Sequence, residues 1–256
     1  MNRIIERFEE LKRSGRKGLV GYLTAGDPDV ARSMKAIRDA IANGIDILEL
    51  GVPFSDPTAD GPIIQEASRR ALEAGMTVKK VLKMVEEIRI ESQIPIVLFG
   101  YANPFFRYGY EKICEDSAKA GADGMLIVDM PFEESAELRV FMDKHDLFFI
   151  PLVAPTTPRE RASMILKNAK GFVYYIMVTG VTGIREDVAV DVAANLKELR
   201  KSTDLPVAVG FGISGGAQAR TSATSAEAVV VGSALVKAAR DGRLVDLVRE
   251  LREALG

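Results

Sequence analysis

The sequence predicts an α/β fold, a single-domain (β/α)8 TIM barrel with an extra N-terminal helix. Short runs of Val, Ile and Leu recur eight times along 256 residues, and segments of helical period separate them. This alternation favours parallel strands joined by right-handed crossovers, and a doubly wound open sheet is the alternative architecture. No low-complexity linker divides residues 1–256, and 47% hydrophobic residues can supply one large core. We therefore expect one domain.

The eight candidate strands are apolar on both faces, as expected for parallel strands that helices cover on the outside. They are GLVGYL (18–23), IDILEL (45–50), PIVLF (95–99), GMLIV (124–128), LFFIPLV (147–153), FVYYI (172–176), PVAVG (206–210) and AVVVG (228–232). A weak internal repeat supports the barrel, because three segments run from a small or acidic start into a strand. These segments are GIDILELGVP (44–53), GADGMLIVDMP (121–131) and AEAVVVGSA (226–234).

The extra helix is predicted at the N-terminus, where charged residues surround one apolar face. That face consists of Ile4, Ile5, Phe8 and Leu11. The segment lacks the continuous apolar stretch of a signal peptide or a membrane span, and we expect it to cover one end of the domain. A later helix is predicted after Thr77, a plausible cap residue.

Composition excludes several classes of function. Lys and Arg total 34 against 36 Asp and Glu, so the chain lacks the basic excess that nucleic-acid binding requires. The single cysteine, Cys114, precludes an internal disulfide and is expected to be a packed thiol in a reducing cytoplasm. The single histidine, His145, lies among charges and is expected at a helix end. Mechanisms based on a Ser-His pair or a zinc cluster are therefore disfavoured.

Barrel enzymes of this kind place their active site at the C-terminal ends of the strands. Two of these ends are long and rich in turn residues, 51–62 after the second strand and 177–190 after the sixth. Glu49 lies within the second strand, where desolvation would raise the pKa of its carboxyl group and suit it to hold a proton. An equally weighted alternative is a carboxylate that only accepts backbone N–H bonds from the next turn.

Asp60 lies at the end of the first of these loops, whose prolines and glycine restrict the backbone. The loop can therefore bring this acid back toward Glu49. Asp56 is the competing acid, but an aspartate before a proline commonly initiates a turn, and we expect it to be structural.

Glycines and hydroxyl groups follow the seventh and eighth strands, in GFGISGG (210–216) and GSALV (232–236). Free N–H groups at the start of a helix suit a phosphate, and many barrels bind the substrate phosphate at these two strands. The candidate phosphate-binding residues are Gly212, Gly232 and Ser233, with Gly183 from the sixth loop.

The sequence lacks the residues that Schiff-base catalysis and metal-ion catalysis require. A Schiff-base aldolase needs a lysine in a strand, and none of the eight runs contains one. No cluster of His, Cys and acidic residues with metal-ligand spacing occurs outside the loop that contains Asp56 and Asp60. We expect no metal.

Six segments together resemble the tryptophan synthase alpha chain family nearly from end to end. They are LTAGDP (23–28), ELGVPFSDPTADGPIIQ (49–65), LVAPTTP (152–158), VYYIMVTGVTGIR (173–185), VGFGIS (209–214) and VVGSALV (230–236). The resemblance implies retro-aldol cleavage of indole-3-glycerol phosphate to indole and glyceraldehyde 3-phosphate, without an organic cofactor or metal. By this resemblance Glu49 supplies the proton to indole C3, and Asp60 stabilises the positive charge that develops at the ring N–H. Tyr175 would lie near the reacting side chain.

The family partner is a β chain that receives the indole, which implies an αββα heterotetramer. Both long loops would close over the substrate. The sequence departs from the family pattern at Thr58, Met177 and Gly215–Gly216, which bears on loop closure, phosphate affinity and communication with the β chain. Two other readings are an isomerase or epimerase of another sugar phosphate, and a non-catalytic subunit that only activates the β chain. The SDPTADGP loop argues against the first, and the presence of both acids argues against the second.

Overall fold

The computed structural model describes residues 1–176, 193–210 and 212–256, in which strands and helices alternate. The strands are β1 (Gly18–Thr24), β2 (Ile47–Gly51), β3 (Ile96–Gly100), β4 (Gly124–Ile127), β5 (Phe148–Phe149), β6 (Leu152–Val153), β7 (Val173–Ile176), β8 (Val207–Gly210) and β9 (Ala228–Val231). All of these strands pair in parallel within one sheet. Each of the eight predicted strands is found.

Helices cover the outside of the sheet and one end of the barrel. They are α1 (Arg3–Ser14), α2 (Val30–Asn43), α3 (Pro62–Glu73), α4 (Val78–Glu91), α5 (Ala102–Tyr108), α6 (Tyr110–Ala120), α7 (Ala136–Lys144), α8 (Arg159–Leu166), α9, described over 193–199, α10 (Gly216–Ala223), α11 (Ser233–Arg240) and α12 (Leu244–Leu255). Thr77 caps α4 as predicted, because its side chain accepts a hydrogen bond from Lys80 N. Among the described helices, none is long and apolar enough to cross a membrane.

The sheet closes into a barrel through one strand that a proline divides in two. In the order of paired strands β5 is at one end and β6 at the other, yet only Ile150 and Pro151 separate them along the chain. Ile150 N donates to Met125 O of β4 at 2.9 Å, and Tyr174 N of β7 donates to Pro151 O at 2.9 Å. Pro151 itself has no N–H to donate. The predicted barrel is therefore confirmed, and the open sheet is excluded.

Helix α1 fills the N-terminal end of the barrel. Its side chains Ile4, Phe8 and Leu11 are buried among the residues that the strands direct inward, and the rings of Phe8 and Phe172 lie 5.6 Å apart. Ile5, predicted on the same face, is instead partly exposed. A larger apolar cluster lies between the strands and the outer helices. The barrel thus has a closed apolar floor, and a polar group inside it can reach solvent only at the C-terminal end.

The internal repeat corresponds to a recurring contact at the N-terminal end of the barrel. In each case an acid just before a strand accepts a hydrogen bond from a backbone N–H at the start of the preceding strand and also binds an arginine. The three sets are Asp46 with Leu19 and Arg252, Asp123 with Ile96 and Arg89, and Glu227 with Val207 and Arg200. These contacts fix the register of neighbouring strands at their start.

Removing one of these acids should destabilise the fold strongly. Asp123 is buried, accepts from Ile96 N at 2.8 Å, and binds Arg89 at 3.1 Å and Arg3 at 2.9 Å. We expect Asp123→Ala to lower the free energy of unfolding in urea by about 3–5 kcal/mol, because the largely buried charge of Arg89 is left without a carboxylate. Asp143→Ala is the control, since Asp143 pairs with Lys170 at the surface. Equal unfolding midpoints for the two variants would contradict this role.

Candidate active site

Glu49 lies inside the barrel on β2. Its neighbours Leu48 and Leu50 face the outer helices, whereas Glu49 pairs in register with Tyr22 of β1 and Val97 of β3. The side chain is 1% exposed, and Oε1 has no hydrogen-bond partner among the described residues. Burial raises the pKa of Glu49 to about 8. A carboxylate that merely accepts backbone N–H bonds would show such partners, so the geometry favours a proton-carrying group.

Asp60 is held above the strand ends by a tyrosine. Tyr101, which follows β3, donates a hydrogen bond from its hydroxyl to Asp60 Oδ2 at 3.0 Å and accepts one from Ala59 N at 3.0 Å. Gln65 Nε2 donates to the Asp60 carbonyl at 2.8 Å, which ties the loop to α3. Burial raises the pKa of Asp60, and the hydrogen bond from Tyr101 opposes that rise. The sequence analysis had not singled out Tyr101.

Asp56, the competing acid, is exposed and lies in the turn. Its Oδ2 accepts a hydrogen bond from the Ser55 hydroxyl at 2.5 Å, and its carbonyl accepts one from Thr58 N at 2.9 Å. Thr58, one of the departures from the family pattern, is also exposed. These contacts agree with a structural role for Asp56.

The two tyrosines of β7 face opposite sides of the sheet. Tyr175 is buried in the cluster between the strands and the outer helices, so the expectation that it lies near the reacting side chain requires correction. Tyr174 points inside the barrel, where burial, then Glu49, then Asp60 raise its pKa. A Cβ on Gly210 would lie 2.7 Å from the Tyr174 hydroxyl. The sequence signal that identifies Tyr174 is strand alternation. Side chains two residues apart share a face, so Tyr174 faces inward together with Phe172.

Three of the four candidate phosphate-binding residues come together beside α11. Gly212, with φ of 72°, and Ser233 line one cavity of about 440 Å³ together with Lys237 and Arg243. Gly232 immediately precedes α11, and its carbonyl accepts from the N–H groups in the first turn. The helix start lacks a side-chain cap among the described residues, so its first N–H groups are available to an acceptor from outside the helix. Gly183 and Met177 lie outside the described residues.

The departure at Gly215–Gly216 has a packing explanation. Gly216 N, at the start of α10, donates to Glu250 Oε1 of α12 at 2.6 Å, so a neighbouring helix supplies the missing cap. A Cβ on Gly216 would lie 3.1 Å from the Glu250 carbonyl and from Ala254 Cβ. Glycine therefore permits the close packing of α10 on α12.

Other singled-out side chains lie away from the mouth. Cys114 is buried in α6, and burial raises the pKa of its thiol to about 12, as expected of a packed residue. His145 forms the C-cap of α7. Within the described residues, no group of three or more His, Cys, Asp or Glu side chains could hold a metal ion.

Together the closed barrel and the two acids at its mouth are typical of a barrel enzyme. The family model for the tryptophan synthase alpha chain matches residues 8–253. The tryptophan synthase alpha chain of Geobacter sulfurreducens is 49% identical, and the match covers 100% of both chains. A structure from Aquifex aeolicus VF5 is 44% identical with a TM-score of 0.93, covering 100% of this chain and 99% of that chain.

Tryptophan synthase subunit alpha from Legionella pneumophila gives 36% identity and a TM-score of 0.91, covering 100% of this chain and 98% of that chain. The chain belongs to the tryptophan synthase alpha chain family. It is a lyase that cleaves indole-3-glycerol phosphate to indole and glyceraldehyde 3-phosphate.

The buried carboxyl group should make stability depend on pH in a definite direction. Between the ordinary pKa of 4.5 and the folded value of about 8, the folded chain keeps a proton on Glu49 that the unfolded chain releases. The Glu49 contribution is therefore present below about pH 4.5 and is lost as the pH rises through 8. We expect the stability of Glu49→Gln relative to the unsubstituted chain to rise by about 4 kcal/mol from pH 5 to pH 8.5.

Urea unfolding at a series of pH values measures this difference. Glu253→Gln, on the exposed face of α12, controls for amide substitution outside the barrel. A difference between Glu49→Gln and the unsubstituted chain that stays constant with pH would show that the carboxyl group keeps its ordinary pKa.

Proposed function

We propose that Glu49 is the proton carrier of the cleavage reaction. The observation that supports this role is a carboxyl group buried inside the barrel mouth, without a hydrogen-bond partner among the described residues and with a pKa of about 8. Such a group is protonated near neutral pH and can act as an acid. The reaction needs an acid, because the bond from indole C3 to the glycerol side chain breaks only after C3 is protonated.

The carboxyl group then regains a proton from the substrate hydroxyl, while the first proton stays on C3 of the indole product. Protonation of C3 forms an indoleninium ion, and the electrons of the C3 side-chain bond flow into the ring as that bond breaks. The side-chain carbon becomes the aldehyde carbon when its hydroxyl proton is taken by the Glu49 carboxylate. Acid and base steps balance, and no external oxidant or reductant is required.

Asp60 is proposed to stabilise the positive charge on the ring nitrogen. Tyr101 fixes one of its oxygens by a 3.0 Å hydrogen bond, so the charge is positioned before the transition state forms. For the tyrosine beside the reacting side chain we propose Tyr174 in place of Tyr175, because only Tyr174 faces the barrel interior. Its hydroxyl group, which stays protonated, can donate a hydrogen bond there.

The substrate phosphate is proposed to bind at Gly212, Gly232 and Ser233, with Gly183 contributing from the sixth loop. The uncapped start of α11 and the cavity shared with Lys237 support an anion at this position. The distance between this site and the two acids then fixes which end of the substrate faces Glu49.

We further propose that residues 1–256 form a single catalytic domain that acts without an organic cofactor or metal. The family partner is a β chain, and we propose an αββα heterotetramer in the cytoplasm. Tryptophan synthase from M. tuberculosis, whose structures are similar to this chain, is known in an aminoacrylate-bound form. The formal net charge is close to zero, so we propose no nucleic-acid partner.

Glu49→Gln should abolish indole release from indole-3-glycerol phosphate. The amide cannot supply the proton to C3, and we expect kcat/KM to fall by at least about 100-fold in an indole assay with the β chain present. In the unsubstituted chain, kcat/KM should decrease as the pH rises through about 8, where Glu49 loses its proton. Glu253→Gln again serves as the control. Undiminished turnover by a folded Glu49→Gln chain would rule out this role.

Gly232→Asp should weaken binding of glycerol phosphate by more than about tenfold, because it places a negative charge at the proposed phosphate site. Gly232→Ala is the matched control, since a Cβ there meets its nearest neighbours at 3.7 Å or more. Isothermal titration measures both affinities. If the two variants bind glycerol phosphate equally well, the phosphate lies elsewhere.

A further inference from the structure

Tyr22 is a polar aromatic residue inside the barrel that the reaction steps above do not use. It is 4% exposed, and its backbone pairs in register with Glu49 across β1 and β2. Because residues paired in a parallel sheet share a face, the Tyr22 and Glu49 side chains start side by side. Tyr22 is thus the immediate neighbour of the proposed proton carrier.

The ring of Tyr22 crosses β2 at the level of Gly51, toward the mouth. A Cβ on Gly51 would overlap the Tyr22 hydroxyl, so this glycine leaves the space that the phenol occupies. Beyond β2, the edge of the Tyr22 ring meets Phe99 of β3, with ring centroids 5.0 Å apart and an interplanar angle of 76°. Packing on both sides therefore fixes the position of the hydroxyl group.

The hydroxyl group lies close to both acids. Gly51 is two residues beyond Glu49 on the same strand face, and the loop that leads to Asp60 begins just after it. Burial, Asp60 and Glu49 each raise the pKa of Tyr22, whereas a hydrogen bond from Thr24 Oγ1 at 3.4 Å lowers it. Tyr22 thus holds a neutral hydroxyl group over Gly51, where both carboxyl groups act on it.

The indole ring has one atom at the corresponding place. Under the proposed function Glu49 faces C3 and Asp60 faces the ring nitrogen, and in indole C2 is the one atom bonded to both. The benzene edge of the ring points away from both acids. A group fixed at Gly51 and close to both carboxyl groups therefore abuts C2 and leaves the benzene edge untouched.

We infer that Tyr22 determines specificity at C2, because its hydroxyl group, seated over Gly51, leaves no room for a substituent on that atom. This inference rests on the proposed roles of Glu49 and Asp60. A hydroxyl group that blocks a substituent acts through the volume of about one heavy atom. Such a difference typically changes the ratio of kcat/KM values for two substrates by roughly tenfold.

The test uses the reverse reaction, condensation of glyceraldehyde 3-phosphate with indole, 2-methylindole or 6-methylindole. The two methylindoles have the same size and differ only in the edge that carries the methyl group. We compare the full-length chain with Tyr22→Phe, which removes the hydroxyl group alone. The intrinsic reactivity of each indole is the same for both enzymes and cancels in the comparison.

Tyr22→Phe should raise kcat/KM for 2-methylindole relative to indole by about tenfold, and the ratio for 6-methylindole should stay within about twofold. Tyr22→Leu, which is also shorter, should shift the ratios in the same direction and provides a second variant if the first folds poorly. Tyr108→Phe is the control, because its hydroxyl group binds Asp116 outside the barrel at 2.7 Å. It should leave both ratios unchanged.

Two results would overturn the inference and leave the proposed function intact. In the first, both ratios are unchanged in Tyr22→Phe while Glu49→Gln abolishes condensation of indole. In the second, the ratios for 2-methylindole and 6-methylindole rise together, which indicates a generally looser pocket. If Glu49→Gln still condenses indole, the proposed acid fails, and the inference about Tyr22 fails with it.

Discussion

Desolvation of the Glu49 carboxyl group is the constraint on which the site depends. The closed sheet surrounds the side chain, and α1 fills the opposite end of the barrel with Ile4, Phe8 and Leu11. Water reaches the carboxyl group only through the mouth, so its ionised form is disfavoured and the group keeps a proton at neutral pH. An exposed glutamate would be ionised there and could not protonate a carbon atom. The fold therefore converts a common side chain into an acid of suitable strength.

Two tyrosines next to glycines shape the space above that acid. The Tyr22 hydroxyl lies over Gly51, and the Tyr174 hydroxyl lies beside Gly210, where a Cβ would come within 2.7 Å. Each glycine belongs to the strand adjacent to its tyrosine, so the missing side chain of one strand accommodates the large side chain of the next. The barrel interior is thereby filled with rings whose hydroxyl groups reach the mouth. This packing holds polar groups at fixed positions without opening the interior to water.

The sequence allowed the fold to be predicted nearly completely, because apolar runs and their spacing identify strands buried on both faces. It located Glu49 at a strand end, but residue type and position alone could not show whether the carboxyl group has hydrogen-bond partners. Tyr175 was chosen by family resemblance, whereas the alternation of side chains across β7 places Tyr174 inside. Tyr101 could not be predicted to hold Asp60, since they are 41 residues apart and meet only in the folded chain.

The two ends of the barrel use acidic residues in opposite ways. At the N-terminal end Asp46 and Asp123 are as buried as Glu49, yet each accepts a backbone N–H bond and binds an arginine. Those acids are satisfied, and their role is to fix strand register. At the C-terminal end Glu49 has neither kind of partner among the described residues, so its proton remains available. A cation and a backbone donor beside a buried acid therefore distinguish the register-fixing acids at the N-terminal end from Glu49, the proposed proton carrier at the mouth.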